Sequence, residues 1–295
     1  MLNNLNIELK KYFTKKKERI YYNIFNKLHF KFIANKNTNN EQIKKFLDKG
    51  FFKTNINSKN FATYISNQIK NQFIRPDNFS FYFNIDDEMK NEIKSHVNNK
   101  FGNLLRELEK LYNSRITIAK IAIKRNFSIE KNINKEFYSN FYHLDSCIYT
   151  HFKLFINLSD IEINQGPLHI YSKKDTKKFI KVNKYKSRDK YEDNELNDLL
   201  IKNTGRLGDS FIANTSECLH RAGSVEKDYQ RDIIVITFIA SPEIINKNGY
   251  NFFFYEKKYP KSIWLRDRKI IKIVKPKSLF NIIKLFFEYY KNKLN

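Results

Sequence analysis

The spacing of apolar residues divides the chain into a helical front and a strand-rich remainder. Between residues 41 and 50, apolar residues recur at i, i+3 and i+4, and Gly50 follows the last of them, which predicts a helix with a defined stop. A short strand is expected next, over 51–56. The helical period returns over 58–72 and 87–112, so the front third is predicted to be mainly helical.

From Ile116 to Ala240 the pattern changes to short apolar runs separated by polar turns, such as RITIAKIAI, GPLHIY and RDIIVITFIA. Short alternating runs without glycine-rich crossovers indicate antiparallel strands in a sandwich or jelly roll. The charged stretch Lys173–Leu200 interrupts the series and is predicted to be a long loop or lid. The chain ends in a predicted amphipathic helix whose apolar face consists of Leu279, Ile283, Phe286 and Tyr290.

Composition narrows the class of protein. With 41% hydrophobic residues in 295, the chain can bury a large core, while Gly 7 and Cys 2 exclude collagen-like and disulfide-stapled proteins. No apolar run is long enough for a transmembrane helix, and no apolar signal core follows the basic N-terminus, so we predict a cytoplasmic protein.

The net charge of +24 is concentrated at the two ends: residues 1–50 carry 12 bases and 4 acids, and residues 251–295 carry 12 bases and 3 acids. We therefore predict three parts: a basic helical arm over 1–40, a barrel domain over 41–240, and a basic, aromatic extension over 241–295. Neither arm has a nucleic-acid-binding motif, so no nucleic-acid partner is predicted. Weak contact of the arms with an anionic membrane surface and packing of the arms on the barrel both stay open, as does the oligomeric state.

One short motif could carry chemistry. In His143-Leu144-Asp145 the imidazole and the carboxylate are two residues apart, so an extended strand presents both on one face to a single metal ion. A His-x-Asp alone is often only a hydrogen-bonded pair. Here His220 follows 77 residues later and Arg231 opens a strand run 11 residues beyond it. Two imidazoles and one carboxylate form a face that suits Fe(II), and a guanidinium can bind a dicarboxylate through two parallel hydrogen bonds.

These residues, together with the segments FLDKGFF, FKLFINLSDIEINQGPLHIYSKKDTK and GDSFIANTSECLHRAGS, resemble the phytanoyl-CoA dioxygenase-like branch of the Fe(II)/2-oxoglutarate oxygenases over about residues 41–240. The resemblance implies a mainly β, α+β fold: a double-stranded β-helix (jelly-roll, cupin-like) barrel with a helical N-terminal half and a C-terminal helix. It also implies that His143, Asp145 and His220 bind iron and that Arg231 binds the far carboxylate of 2-oxoglutarate. No catalytic residue beyond the metal ligands is implied.

The function implied is that of a non-haem dioxygenase using Fe(II), 2-oxoglutarate and O2. It would hydroxylate a small organic, lipid-linked or sugar-derived substrate and release succinate and CO2. Two other classes stay open: a catalytically inactive metal-binding jelly-roll protein, and a basic surface-binding module in which the barrel is a scaffold.

Other polar residues are interpreted more simply. Lys153, Phe155 and Asn157 alternate on the strand after the His-x-Asp motif and are predicted to line the cavity, where Lys153 or Asn157 could help to hold 2-oxoglutarate. His151 and His169 are interpreted as core or surface histidines and not as ligands.

Overall fold

The computed structural model describes residues 20, 24–25, 28–31, 38–72, 80–128, 139–145, 150–185, 197–246, 249–253, 263–264, 270–274, 278, 280, 283–284, 286–288 and 291, with backbone alone from 241 to 274.

The front of the chain is helical, as predicted. Its helices are α1 (Glu41–Lys49), α2 (Lys59–Ile69), α3 (Asp87–His96), a π-helical turn (Val97–Phe101) and α4 (Gly102–Tyr112). Asn40 starts α1, because its side chain accepts hydrogen bonds from the backbone N–H groups of Gln42 and Ile43. Gly50, with φ of 87°, ends α1 in the left-handed conformation. The predicted helix, stop and strand are therefore confirmed, although the strand is shorter than expected.

The strands of the described residues are β1 (Phe51–Lys53), β2 (Ser80–Tyr82), β3 (Ser114–Phe127), β4 (His151–Asn157), β5 (Leu168–Ile170), β6 (Ile201–Asn203), β7 (Ser210–Ala213), β8 (His220–Ala222), β9 (Gln230–Asn246), β10 (Gly249–Phe253), β11 (Ile263–Trp264) and β12 (Ile270–Val274).

Two facing sheets form the barrel. The major sheet runs β1-β7-β4-β9, and β3 continues it beyond β9 and pairs with β2 and β11. The minor sheet runs β6-β5-β8, and an antiparallel bridge between His143 and His220 extends it by one more segment. All of these pairings are antiparallel. The predicted jelly-roll barrel is confirmed.

The alternation along β4 shows how the sheet separates two cores. Phe152, Leu154 and Ile156 pack with the front helices on the outer face of the major sheet. Phe155 lies on the other face, in a second cluster between the sheets that includes Ile233 and Val235 of β9. Helices therefore cover one side of the sheet, and the opposite side faces the interior of the barrel.

The prediction of a loop over Lys173–Leu200 is wrong for its first part, which forms helix α5 (Lys173–Val182). The Ser172 side chain caps this helix, accepting from the backbone N–H of Asp175. Phe179 packs against Tyr142, Tyr171 and Leu219 on the outside of the minor sheet. The helix was missed in the sequence because a helix that covers a sheet on one side needs few apolar residues. Here those few stand among many lysines. Residues 186–196 lie outside the described residues.

The two arms touch where they are described. Phe25 and Phe286 are both buried, with ring centroids 6.1 Å apart, and His29 Nε2 lies 2.7 Å from the carbonyl oxygen of Tyr112 in α4. Leu279 and Tyr290 of the predicted C-terminal helix lie outside the described residues. Strand β9 runs past residue 240, and the three-part division stays a prediction. Within the described part of the chain, no helix combines the length and the apolar character that crossing a membrane requires.

Candidate metal centre

His143, Asp145 and His220 converge at the minor sheet. The backbones of His143 and His220 exchange two hydrogen bonds, of 2.9 and 3.1 Å, and this pairing places both imidazoles on the inner face. The backbone N–H of Asp145 donates to the carbonyl of Thr215 at 2.9 Å, which holds the end of the motif. Strand pairing therefore brings together residues that are 77 positions apart.

Each imidazole is oriented by a contact between its Nδ1 atom and a nearby backbone carbonyl. His143 Nδ1 lies 2.8 Å from the carbonyl oxygen of Phe141, and His220 Nδ1 lies 2.9 Å from that of Cys218, so each ring is tied to the carbonyl two residues before it. When Nδ1–H donates to a carbonyl, Nε2 keeps its lone pair for a metal. In that tautomer both imidazoles would offer Nε2 to a metal ion.

The ligand atoms have nearly the spacing that one ion needs. The Nε2 atoms of His143 and His220 lie 3.7 and 3.8 Å from the carboxylate oxygens of Asp145, and one atom from each of the three residues falls within 4.8 Å of the others. Neighbouring ligands of one ion, each about 2.0–2.2 Å from it, are roughly 3 Å apart. Small side-chain adjustments would close the difference.

Charge and burial favour the ligating protonation states. Burial raises the pKa of Asp145, but nearby positive groups lower it to below its ordinary value. The strongest of them is Lys153, whose Nζ lies 2.5 Å from Oδ2, followed by His220 and His151. Burial lowers the pKa of His220 to about 3, although Asp145 opposes that shift. The site therefore presents a carboxylate and a neutral imidazole near neutral pH.

A cavity open to solvent lies beside the imidazoles of His143 and His220. Lys153, Phe155 and Asn157 line it, as predicted from their alternation on β4. Arg231 also lines it, is only 4% exposed, and donates from Nη1 to the carbonyl oxygen of Gly166. The sequence-predicted residues thus share one cavity.

Two residues of the site were missed in the sequence. Lys124 on β3 lines the cavity, and burial, followed by repulsion from Lys153, lowers its pKa to about 7. His151 is buried as interpreted, yet its Nδ1 lies 4.0 Å from Asp145 Oδ2. Alternation along β4 places His151 on the same face as Lys153, which was a usable signal. His169 accepts a hydrogen bond from Arg221 at 3.2 Å and is not part of the ligand cluster.

The fold and the site define a jelly-roll protein with a buried His-Asp-His cluster. No protein-family model and no curated protein sequence matches the chain.

Several solved structures are similar to it. HygX from Streptomyces hygroscopicus with nickel, 2-oxoglutarate and hygromycin B bound has a TM-score of 0.48 at 12% identity, covering 68% of this chain and 87% of that one. EctD from S. alaskensis in its apoform has a TM-score of 0.48 at 12% sequence identity, covering 70% of this chain and 81% of that one. The epimerase SnoN in complex with Fe3+, alpha ketoglutarate and nogalamycin RO has a TM-score of 0.43 at 12% sequence identity. The match covers 66% of this chain and 81% of that one. Likenesses at this level do not assign a function.

Proposed function

We propose that this protein is a non-haem Fe(II)- and 2-oxoglutarate-dependent dioxygenase of the phytanoyl-CoA dioxygenase-like branch. It hydroxylates a small organic, lipid-linked or sugar-derived substrate and releases succinate and CO2. The observation that carries the proposal is the convergence of His143, Asp145 and His220 beside a cavity that also contains Arg231.

The donor set fits Fe(II). Two imidazole nitrogens and one carboxylate oxygen occupy one side of an ion and leave its other positions open to a co-substrate and dioxygen. The carbonyls of Phe141 and Cys218 hold the two rings in ligating orientation before any metal arrives. When bound, the iron and 2-oxoglutarate supply the oxidising chemistry.

Arg231 has the chemistry and the place to bind the far carboxylate of 2-oxoglutarate. Its guanidinium is buried in the cavity wall, and its hydrogen bond to the Gly166 carbonyl orients the group. A planar guanidinium matches a carboxylate with two parallel hydrogen bonds, which an ammonium cannot do. Lys153 and Asn157, on the neighbouring strand β4, are the candidates to help hold the co-substrate.

Part of the remaining cavity wall is apolar. Five of the apolar residues that line the cavity belong to or pack against one apolar cluster between the sheets: Phe155, Ile161, Leu168, Ile233 and Val235. An apolar wall strengthens the electrostatic contacts within the site and protects a reactive oxidant from solvent.

The decisive experiment measures succinate formation from 2-oxoglutarate by the full chain with Fe(II) and O2. We expect Fe(II)-dependent succinate release that is lost in Asp145→Ala and His220→Ala. It should persist in His96→Gln and Asp198→Ala, which change the same residue types outside the ligand cluster. Arg231→Lys should raise the KM for 2-oxoglutarate by about tenfold, because one ammonium replaces the two-point contact.

The other outcomes identify the two alternative classes. If the chain binds metal through His220 but neither releases succinate nor binds 2-oxoglutarate, it is an inactive metal-binding protein and not an enzyme. A chain that binds no metal but binds anionic vesicles would support the surface-binding module. That binding should weaken steeply with added salt if basic arms contact lipid phosphates. The cytoplasmic location stays a prediction.

A further inference from the structure

The cavity carries more positive charge than the proposed reaction requires. Among its lining residues three are cations, Lys124, Lys153 and Arg231, and none is an acid. Lys153 already faces Asp145 at 2.5 Å, and Arg231 is assigned to the far carboxylate of 2-oxoglutarate. Lys124 forms no ion pair with a described carboxylate, and the Tyr82 ring is the contact recorded for its ammonium.

Lys124 and Arg231 lie on the neighbouring strands β3 and β9 and line the same cavity, but Lys124 also has a neighbour on β2. Lys124 on β3 pairs with Tyr82 of β2 on one side and with Ile233 of β9 on the other. Its ammonium lies 4.9 Å from the centre of the Tyr82 ring, so it contacts β2 at the edge of the cavity that it lines.

A second lysine points to the same place. Lys120 is four residues earlier on β3, on the same face as Lys124, and its Nζ lies 5.4 Å from the centre of the same Tyr82 ring. Among the described residues no carboxylate forms an ion pair with either ammonium. Lys120 is exposed and Tyr82 is 53% exposed, whereas Lys124 lines the cavity, so the two ammonium groups extend from the cavity wall to the solvent-exposed ring.

We propose that Lys120, Lys124 and Tyr82 form a subsite for an oxyanion group, a carboxylate or a phosphate, on the primary substrate. The inference rests on the proposed function, because it assigns the substrate to the class of anionic small molecules. Two ammonium groups held beside one aromatic ring can both donate hydrogen bonds to the same oxyanion. The apolar wall beyond Lys124 would then receive the part of the substrate that is oxidised.

The test measures binding by calorimetry on the full chain, loaded with Fe(II) without oxygen, in the presence and absence of 2-oxoglutarate. The probes are phenyl phosphate and benzoate, with uncharged phenol as their control. We expect both anions to bind and phenol not to bind. Lys120→Met and Lys124→Met should each weaken the anions by about fivefold or more.

Two variants act as controls. Lys178→Met removes an exposed lysine on helix α5, outside the minor sheet, and should leave probe binding unchanged. Lys124→Arg keeps the charge and should restore most of the affinity that Lys124→Met loses. Urea midpoints of all variants show whether a loss reflects unfolding.

The outcomes separate this inference from the proposed function. If 2-oxoglutarate binds but the anionic probes bind no better than phenol, the anion subsite is wrong and the oxygenase stands. If Lys124→Met weakens 2-oxoglutarate more than the probes, the lysine serves the co-substrate and the inference is also overturned. If the probes bind through Lys120 and Lys124 while 2-oxoglutarate does not bind at all, the subsite stands and the oxygenase fails.

Discussion

Gly50 offers a test of how the front helices support the metal centre. It ends α1 with φ of 87°, a conformation that costs a residue with a side chain about 1–2 kcal/mol. A Cβ built on Gly50 would overlap Cys218 Sγ, and it would also lie 2.9 Å from the Lys173 side chain. Cys218 is 0% exposed, so its thiol has no open space to enter. Gly50→Ala therefore has a backbone cost and a separate cost of overlap.

The two costs can be estimated independently. Overpacking a filled core costs about 1–3 kcal/mol, so Gly50→Ala should lower the free energy of unfolding by about 2–5 kcal/mol in total. Cys218→Ala removes the sulfur atom that a new Cβ would meet. In that background the backbone cost of about 1–2 kcal/mol should remain for Gly50→Ala, with a smaller contribution from the contact with the flexible Lys173 side chain. The difference is a coupling of about 1–3 kcal/mol between the two positions.

The assay is urea denaturation of the wild type, the two single variants and the double variant, with free energies of unfolding compared at equal m-value. Gly102→Ala is the control, because a Cβ there has Arg106 Nη1 at 3.7 Å as its nearest neighbour, an ordinary contact, and the helical backbone accepts alanine. It should be neutral or stabilise by about 0.5–1 kcal/mol.

The same variants report on the metal centre. The carbonyl of Cys218 holds the ring of His220, so a displaced Cys218 should also weaken Fe(II) binding in Gly50→Ala, with recovery in the double variant. The reasoning fails if Gly50→Ala costs less than about 1 kcal/mol, or if its cost is the same whether residue 218 is cysteine or alanine.

Two further predictions concern charge. Arg125→Met should destabilise the protein by about 3 kcal/mol, because Asp232, bound through contacts of 2.7 and 2.6 Å, would lose its buried partner. Lys53→Met, which removes a more exposed ion pair, should cost less than about 1 kcal/mol in the same urea assay, and equal costs would contradict this account. Burial, and to a smaller extent Lys100, lowers the pKa of His96 to about 4, so the folded state binds fewer protons than the unfolded state between pH 6.5 and 4. The free energy of unfolding should therefore fall as the pH is lowered through that window. His96→Gln should reduce this fall by about 1–2 kcal/mol, after allowance for solvent screening. A pH profile that is the same in the variant would contradict the role given to His96.

The cluster of candidate metal ligands was predictable because it follows from local spacing and from the order of residues along the chain. His143 and Asp145 share a strand face by alternation, and His220 and Arg231 follow in the sequence expected for the next strands. The cavity-facing residues of β4 were predictable for the same reason. Alternation needs no knowledge of which strand lies opposite.

Lys124 was not predictable, because its role depends on pairings made across the sheet. Nothing near it in sequence shows that β2 places Tyr82 beside it or that β4 places Lys153 in the same cavity. In a chain so rich in lysine, a single lysine on a strand carries little information. Helix α5 was missed for a related reason, since the surface that buries Phe179 is formed by residues from three distant segments.

One close contact connects the candidate metal ligand His220 to Arg231, the arginine proposed to bind the co-substrate. Gly166 and Gly223 pack so tightly that a Cβ on either would overlap the backbone of the other's segment, and the backbone N–H of Gly223 donates to the Pro167 carbonyl at 2.8 Å. This contact sets the register of β8 against β5, and a slip of one residue would turn the His220 side chain out of the barrel. Because the Gly166 carbonyl also accepts the hydrogen bond from Arg231, the same turn positions both ends of the proposed co-substrate site.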